Sequence, residues 1–383
     1  MTGATANWSL ALRTVLCWFC LGAAPGEASE PPKALPITGI SGVYEVMVGV
    51  TEAEPAVSYF EQFGFRVIAE AQLDARQAEE RYGVASALRS LRLQNGSTDA
   101  HGLLRILEWA QPLGPGVGFA PPETVGTRMA VMRTRDIFRL ADIFTDLRER
   151  AGEAWLIAGP VYDDLYDQTQ GPVSIDNRRV GVRELAVYGR WFNHVFFQRY
   201  GYTIPGYGII DDASPLQSSE FTHHDFVVAG DLAEVTDYYT SVFGFRAENE
   251  PVIDGEWQDG PRVVFQMAPG RSHWYRGFVS PNDVAGKLKF FSLHGLHRAD
   301  DRSAHQRPGE LGITLHSLWT PELEYVHRLA CDAGLQPGPL AANEFGERSF
   351  LLRGPDGVNW QLIERDGAAK PAIREFELVP VDN

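Results

Sequence analysis

The sequence predicts an α+β protein assembled by duplication, and three observations carry that prediction. The segment Tyr59-Phe60-Glu61-Gln62-Phe63-Gly64-Phe65-Arg66 returns at positions 239 to 246 as Tyr239-Thr240-Ser241-Val242-Phe243-Gly244-Phe245-Arg246, an offset of 180 residues that preserves Tyr, Phe, Gly, Phe and Arg. Around each copy the pattern runs strand, helix, glycine and further strands, so the alternation of period 2 and period 3.6 is itself repeated. The third observation is size: 383 residues with 44% hydrophobic and 22% charged side chains suit two globular domains of ordinary length and exclude a disordered, collagen-like or coiled-coil chain.

The first unit opens with an alternating strand over residues 43–50, then a helix entered at Thr51, and Gly64 supplies the left-handed stop before Phe65 starts a strand. A second unit begins with a strand at residues 129–133, followed by a helix from Asp136 to Ala151 with Gly152 as its stop. The third repeats the first: a strand over residues 221–228, a helix capped by Asp231, and Gly244. The fourth has a strand over residues 313–318, the start signal Thr320-Pro321-Glu322, and a helix ending before Gly334. Two apolar segments follow, the second at residues 349–353, then the turn Gly354-Pro355-Asp356-Gly357 and a closing strand at residues 360–364. The unit is βαβββ. Residues 113–122 and 211–219 read as connectors.

Thirty-four Lys and Arg face fifty Asp and Glu, a formal charge of −16 with no basic patch, so neither nucleic acid nor an anionic membrane surface is expected as a partner. Residues 1–28 read as a secretory signal: one cation, Arg13, an apolar stretch at 14–25 too short to span a bilayer, and small residues Gly26 and Ala28 before Ser29. Export to a periplasmic or extracellular space is the expectation. Cys17 and Cys20 would leave with that signal, so Cys331 would be alone and without an internal disulfide. Its helical setting, with Leu323, Val326, Leu329 and Ala330, predicts a buried thiol.

Residues 224–245, and residues 349–364 with their run Arg353-Gly354-Pro355-Asp356-Gly357-Val358-Asn359-Trp360-Gln361-Leu362-Ile363-Glu364, resemble the vicinal oxygen chelate superfamily, which includes glyoxalase I, bleomycin-resistance proteins and extradiol dioxygenases. The resemblance implies four βαβββ modules, at about 36–112, 125–205, 216–298 and 308–366, paired into two open, curled β-sheet barrels. It also implies an N-terminal domain at 36–210, a C-terminal domain at 216–366 that holds the site, and a tail at 367–383. A divalent metal, Fe, Mn, Zn or Ni, would be held by side chains on the first and last strands of the modules.

Counting by the intervals of that family gives three metal candidates. His224 lies seven residues before the helix cap Asp231 and is expected to face the barrel interior, with His223 turned away. Gln361 lies four residues after Gly357 on the closing strand, where the family carries glutamate; its neutral amide would bind a cation more weakly, and Glu364 points to the opposite face. The interval before Thr320 reaches Thr314 rather than a histidine, so His316, two residues on, enters through a local irregularity, with His294 as a further possibility. Thr314, His273, Trp274 and Tyr275 are the substrate-binding candidates, the last three from an aromatic and cationic stretch suited to stacking on rings or holding an anionic oxygen. In the first unit the position equivalent to His224 is Tyr44, and Tyr44, Glu45 and Glu108 are expected to form no metal site.

Three readings stay open on these residues, one of them a scaffold whose modules only mediate assembly. Another is a metal-dependent lyase, isomerase or dioxygenase acting on a small oxygen-bearing molecule, aromatic or not. The third is a metal-free binding protein of the bleomycin-resistance type that uses the same concavity.

Overall fold

The computed structural model describes residues 34–152, 154–164, 181–248, 252–254, 259–267, 273–293, 301–366 and 377–378. The expected signal at 1–28, His294 and most of the expected tail at 367–383 lie outside the described residues. From Leu35 onward the chain is one compact unit. Among the described residues no helix is long and apolar enough to cross a membrane.

All four modules form. The first is β1 (Glu45–Val50), α1 (Ala53–Glu61), β2 (Phe65–Leu73), α2 (Ala75–Tyr82), β3 (Leu88–Asn95) and β4 (Leu103–Trp109). The second is β5 (Arg128–Thr134), α3 (Ile137–Arg150), β6 (Leu156–Asp164), β7 (Gly181–Tyr188) and β8 (Asn193–Tyr200), followed by the short β9 (Tyr202–Thr203). The third is β10 (Ser218–Val227), α4 (Leu232–Ser241), β11 (Arg246–Ala247), β12 (Val252–Asp254), α5 (Asp259–Val264), β13 (His273–Val279) and β14 (Lys287–Leu293). The fourth is β15 (Gly312–Thr320), α6 (Leu323–Asp332), β16 (Ala341–Ala342), β17 (Arg348–Arg353) and β18 (Asn359–Glu364), and β19 (Glu377–Leu378) pairs with β9.

The local signals behave as their chemistry requires. Asp136 accepts hydrogen bonds from the amides of Phe138 and Arg139, and Asp231 from that of Ala233 at 2.8 Å, each satisfying donors at a helix start. Gly64 and Gly244, the glycines of the repeat, have φ of +94° and +77°. A Cβ at Gly244 would lie 2.3 Å from the Pro36 carbonyl oxygen, so both conformation and space require glycine there. Helix α2, with Asp74 and Gln77 in a reciprocal capping box, adds an unexpected helix to the first module.

The pairing of modules differs from the expected consecutive domains. The first sheet has the order β16-β17-β18-β15-β1-β4-β3-β2, so module one is joined to module four. The second has the order β11-β13-β14-β10-β5-β8-β7-β6, with β12 pairing to β13, and joins module two to module three. In both, the first strands of two modules meet antiparallel, β1 with β15 and β5 with β10. The links from module one to two and from three to four run side by side, bridged at Gly114 with Glu310 and at Val125 with Asp301.

The sheets pack through the faces that carry their helices. Val46 of the first sheet and Phe60 of its helix α1 share a core with Phe196 and Phe221 of the second sheet. A second core brings Phe226 and Tyr239 against Leu318 and Trp360. The Asp356 carboxylate of the predicted turn accepts from the Tyr239 hydroxyl at 2.7 Å, which in turn accepts from the Trp360 indole at 3.0 Å. On α6 the buried residues are Leu323, Val326 and Ala330; Cys331, one step round the helix, is exposed, not buried as expected.

Candidate functional site

Each sheet leaves one face turned away from this shared core, and the two faces differ chemically. In the first sheet, alternation sends Val46, Val48 and Val50 to the helices and Glu45 and Met47 the other way. Four positions on first and last strands then meet: Glu45 on β1, Arg105 on β4, Ser317 on β15 and Gln361 on β18. Arg105 is fully buried; it pairs with Glu45, bonds Gln361 Oε1 at 2.9 Å, and pairs with Glu344 at 3.0 Å. Ser317 donates to Glu45 at 3.0 Å. Arg92 on β3 pairs with Glu45 and grips the Glu347 carboxylate at 3.0 and 2.7 Å. Burial opposes charge on Arg92 and Arg105, yet Glu45 and its fellow carboxylates hold both guanidiniums above their ordinary range, and Arg105 holds Glu344 below its own.

This donor set does not fit a divalent metal. A permanently charged guanidinium already fills the space between the acid and the amide, and Ser317 and Gln361 bring no negative charge. Among the described residues no three His, Cys, Asp or Glu side chains converge into a metal-holding group.

The corresponding face of the second sheet is less complete. Asp225 on β10 stands in register with Lys289 on β14 and Met129 on β5, and His223 is two residues earlier on the same face. Met129, Val131, Val195, Phe265 and Phe291 supply apolar walls. His223 Nδ1 lies 3.3 Å from the Tyr207 hydroxyl and 3.1 Å from Thr222 Oγ1, and its ring meets Phe197 edge-on at 5.1 Å. Its Nε2, and Oδ1 of Asp225, are buried without a hydrogen-bond partner among the described residues. Helix α5 covers part of this face: Tyr188 donates to the Val264 carbonyl at 2.7 Å, and Gly260 leaves only enough room for the Glu184 carboxylate, 3.0 Å from where a Cβ would lie.

Burial dominates the electrostatics here. It pushes Asp225 up to about 7, against the pull of Lys289, and Glu184 up to about 8, with Asp163 adding to the rise. It drives His223 well below its ordinary value, and nearby Lys289 pushes the same way. Lys289, although burial opposes its charge, is held above its ordinary value by Tyr275 and Asp225. At neutral pH the face therefore presents a neutral imidazole, a cation, and carboxyls that gain or lose a proton near pH 7.

The residues singled out from the sequence fall in three places. His224 and His316 do meet, with ring centroids 5.2 Å apart, but between the sheets rather than in either concave face. His224 lies on the face of Phe226 and Val228, which pack on α4, and His316 packs against Phe226 and Trp360. Gln361, paired across the sheet with Ser317, points to the opposite side from His316 and is not brought together with either histidine. Thr314 falls at the irregularity where the β1 register slips between Met47 and Val48, with its hydroxyl buried and without a partner among the described residues. His273 and Tyr275 line the second concave face, stacked and tilted against Phe291 at 5.6 and 5.3 Å, whereas Trp274 faces the helix-side core. His223 and Asp225 are thus the pair missed. The repeat held a clue, since the offset of 180 maps Glu45 onto Asp225.

No family model matches the chain, and no curated protein matches it. Among solved structures it is similar to glyoxalase I from Zea mays, with 14% identity over 85% of this chain and 93% of that one and a TM-score of 0.46. It is similar to a putative dioxygenase from Bacillus subtilis, with 9% identity over 85% of this chain and 86% of that one and a TM-score of 0.49. A glyoxalase/bleomycin resistance protein/dioxygenase superfamily member from Sphaerobacter thermophilus shares 18% identity over 38% of this chain and 97% of its own, with a TM-score of 0.25.

Proposed function

We propose that this chain, whose architecture is that of the vicinal oxygen chelate superfamily, is a metal-independent small-molecule binding protein that takes its ligand in the concave face of the second sheet. One observation carries this reading: Asp225 Oδ1 and His223 Nε2 are buried without partners among the described residues, in a face walled by Phe291, Met129 and Val131. A buried polar atom left unpaired costs roughly 1–3 kcal/mol, so a ligand that supplies the missing hydrogen bonds recovers that penalty on binding. The walls favour a ring, Asp225 favours a hydroxyl or amine donor, and Lys289 favours an oxygen acceptor. The metal-dependent alternative would need His224, His316 and Gln361 to converge, and they lie on two faces.

The test is a calorimetric screen of phenols and aromatic amines against the full chain, with and without a chelator. Binding should survive chelation and weaken at least ten-fold in Asp225→Asn, roughly the 1.4 kcal/mol of one hydrogen bond. Affinity that disappears with the chelator, or that ignores Asp225→Asn, sinks the proposal.

A further inference from the structure

The concave face of the first sheet is occupied by the chain itself. The turn at residues 343–347, between β16 and β17, places two carboxylates and one ring on two guanidiniums. Glu347 is held by Arg92 at 3.0 and 2.7 Å, and Glu344, its side chain fully buried, by Arg105 at 3.0 Å. The Phe345 ring lies against both cations, 4.4 Å from the Arg92 guanidinium carbon and 5.0 Å from that of Arg105.

The turn keeps its own shape. Asn343 Oδ1 accepts from the amides of Phe345 and Glu347, and its Nδ2 donates to the Glu347 carboxylate. Its backbone tether is β16, two exposed residues pairing with Ser349 and Arg348, with Arg81 donating to the Ala341 carbonyl at 3.3 Å, while Tyr82 and Ser90 donate to the Glu344 carboxylate at 2.7 and 2.8 Å. Beneath the turn, Glu45 alone would balance Arg92 and Arg105, with the side chains of Ser90, Ser317 and Gln361 exposed beside them.

We propose that Arg92 and Arg105 form a second ligand site, for a small aromatic dicarboxylate, and that the turn at residues 343–347 is its built-in competitor. A ring flanked by two carboxylates offers the guanidiniums what Glu344, Phe345 and Glu347 offer them now. A free ligand of that class lifts the turn off the sheet edge and takes its contacts.

The probe is isophthalate, measured by calorimetry on the full chain and on Glu344→Gln/Glu347→Gln, which weakens the competitor and leaves both arginines. The double variant should bind isophthalate at least ten-fold more tightly than the parent, and adding Arg92→Gln should abolish the gain. Succinate, without a ring, and inorganic phosphate should bind more weakly than isophthalate. A folded double variant with no gain overturns the proposal, and so does succinate or phosphate binding as tightly as isophthalate. Should the double variant fail to fold, hydrogen exchange on the parent decides: saturating isophthalate should speed exchange of the amides at 343–347, and unchanged exchange refutes the displacement.

Discussion

Two adjacent histidines show how little separates a core residue from a site residue. His223 and His224 differ by one step along a strand, and that step moves a side chain from the concave face to the seam between the sheets. The sequence spacing marks position 224, but in a curled sheet both faces are buried, so alternation alone does not say which parity is the interior. Phe226 and Val228 settle the matter by packing on α4. His224 is then a neutral imidazole with neither nitrogen bonded among the described residues, and burial, with His101 adding to it, pushes its pKa down to about 3. Its folded value lies below its unfolded one, so the unfolded chain binds the proton first. Stability should therefore fall as pH drops below about 6.5, by up to about 1.4 kcal/mol per pH unit until about pH 3. Urea titrations of the parent and of His224→Leu across pH 4 to 7 check this. The variant should be more stable at pH 7 by about 1 kcal/mol, since it removes unsatisfied polar atoms, and its acid dependence should be shallower. A large loss of stability at neutral pH would contradict this account.

At the scale of elements, strands and helices were legible wherever a cap, a glycine or a period announced them, and the connections between strands were not. The turn Gly354-Pro355-Asp356-Gly357 was readable as a turn, whereas the reach of Asp356 to Tyr239 on a helix 117 residues away in sequence was not. Asp356→Ala would strip the Tyr238 and Tyr239 hydroxyls of their acceptor, while the Trp360 indole keeps those hydroxyls as its own acceptors, and should cost about 1–3 kcal/mol in denaturant titration. Arg105 was equally silent, because a lone arginine in a strand reads as a solvated residue until its partners are known. Arg105→Met leaves Glu45 and Glu344 buried beside an apolar side chain, and should cost about 3–5 kcal/mol. A change below 1 kcal/mol would mean that water reaches this network and that it is not the closed cluster described here.

For the whole molecule, the repeat and the family resemblance indicated four modules and their order, but also led to consecutive pairing at 36–210 and 216–366, whereas the sheets join module one to four and two to three. The joining of module one to four and of two to three goes with paired links, bridged at Gly114 with Glu310 and at Val125 with Asp301. Neither half of the sequence then contains a complete sheet. Fragments 35–210 and 216–383, made separately, should each lack a cooperative thermal transition and regain it on mixing. Independent cooperative folding of either fragment would show that consecutive modules can pair after all.

The joining of the first module to the last also sets a timetable for synthesis. Glu45 finds Ser317 across 272 residues, whereas the inner pair needs only 91 between Val131 and Thr222. At roughly 5–20 residues per second, β1 waits about 14–54 s after leaving the ribosome before its neighbour β15 exists. During that interval a strand of Val, Met and Gly with one charged residue, Glu45, presents an open edge, while the second sheet can already close. The nascent chain is thus most prone to stray strand pairing midway through its own translation, and a chaperone that shields β1 at that stage would raise the yield of folded protein without touching the finished fold.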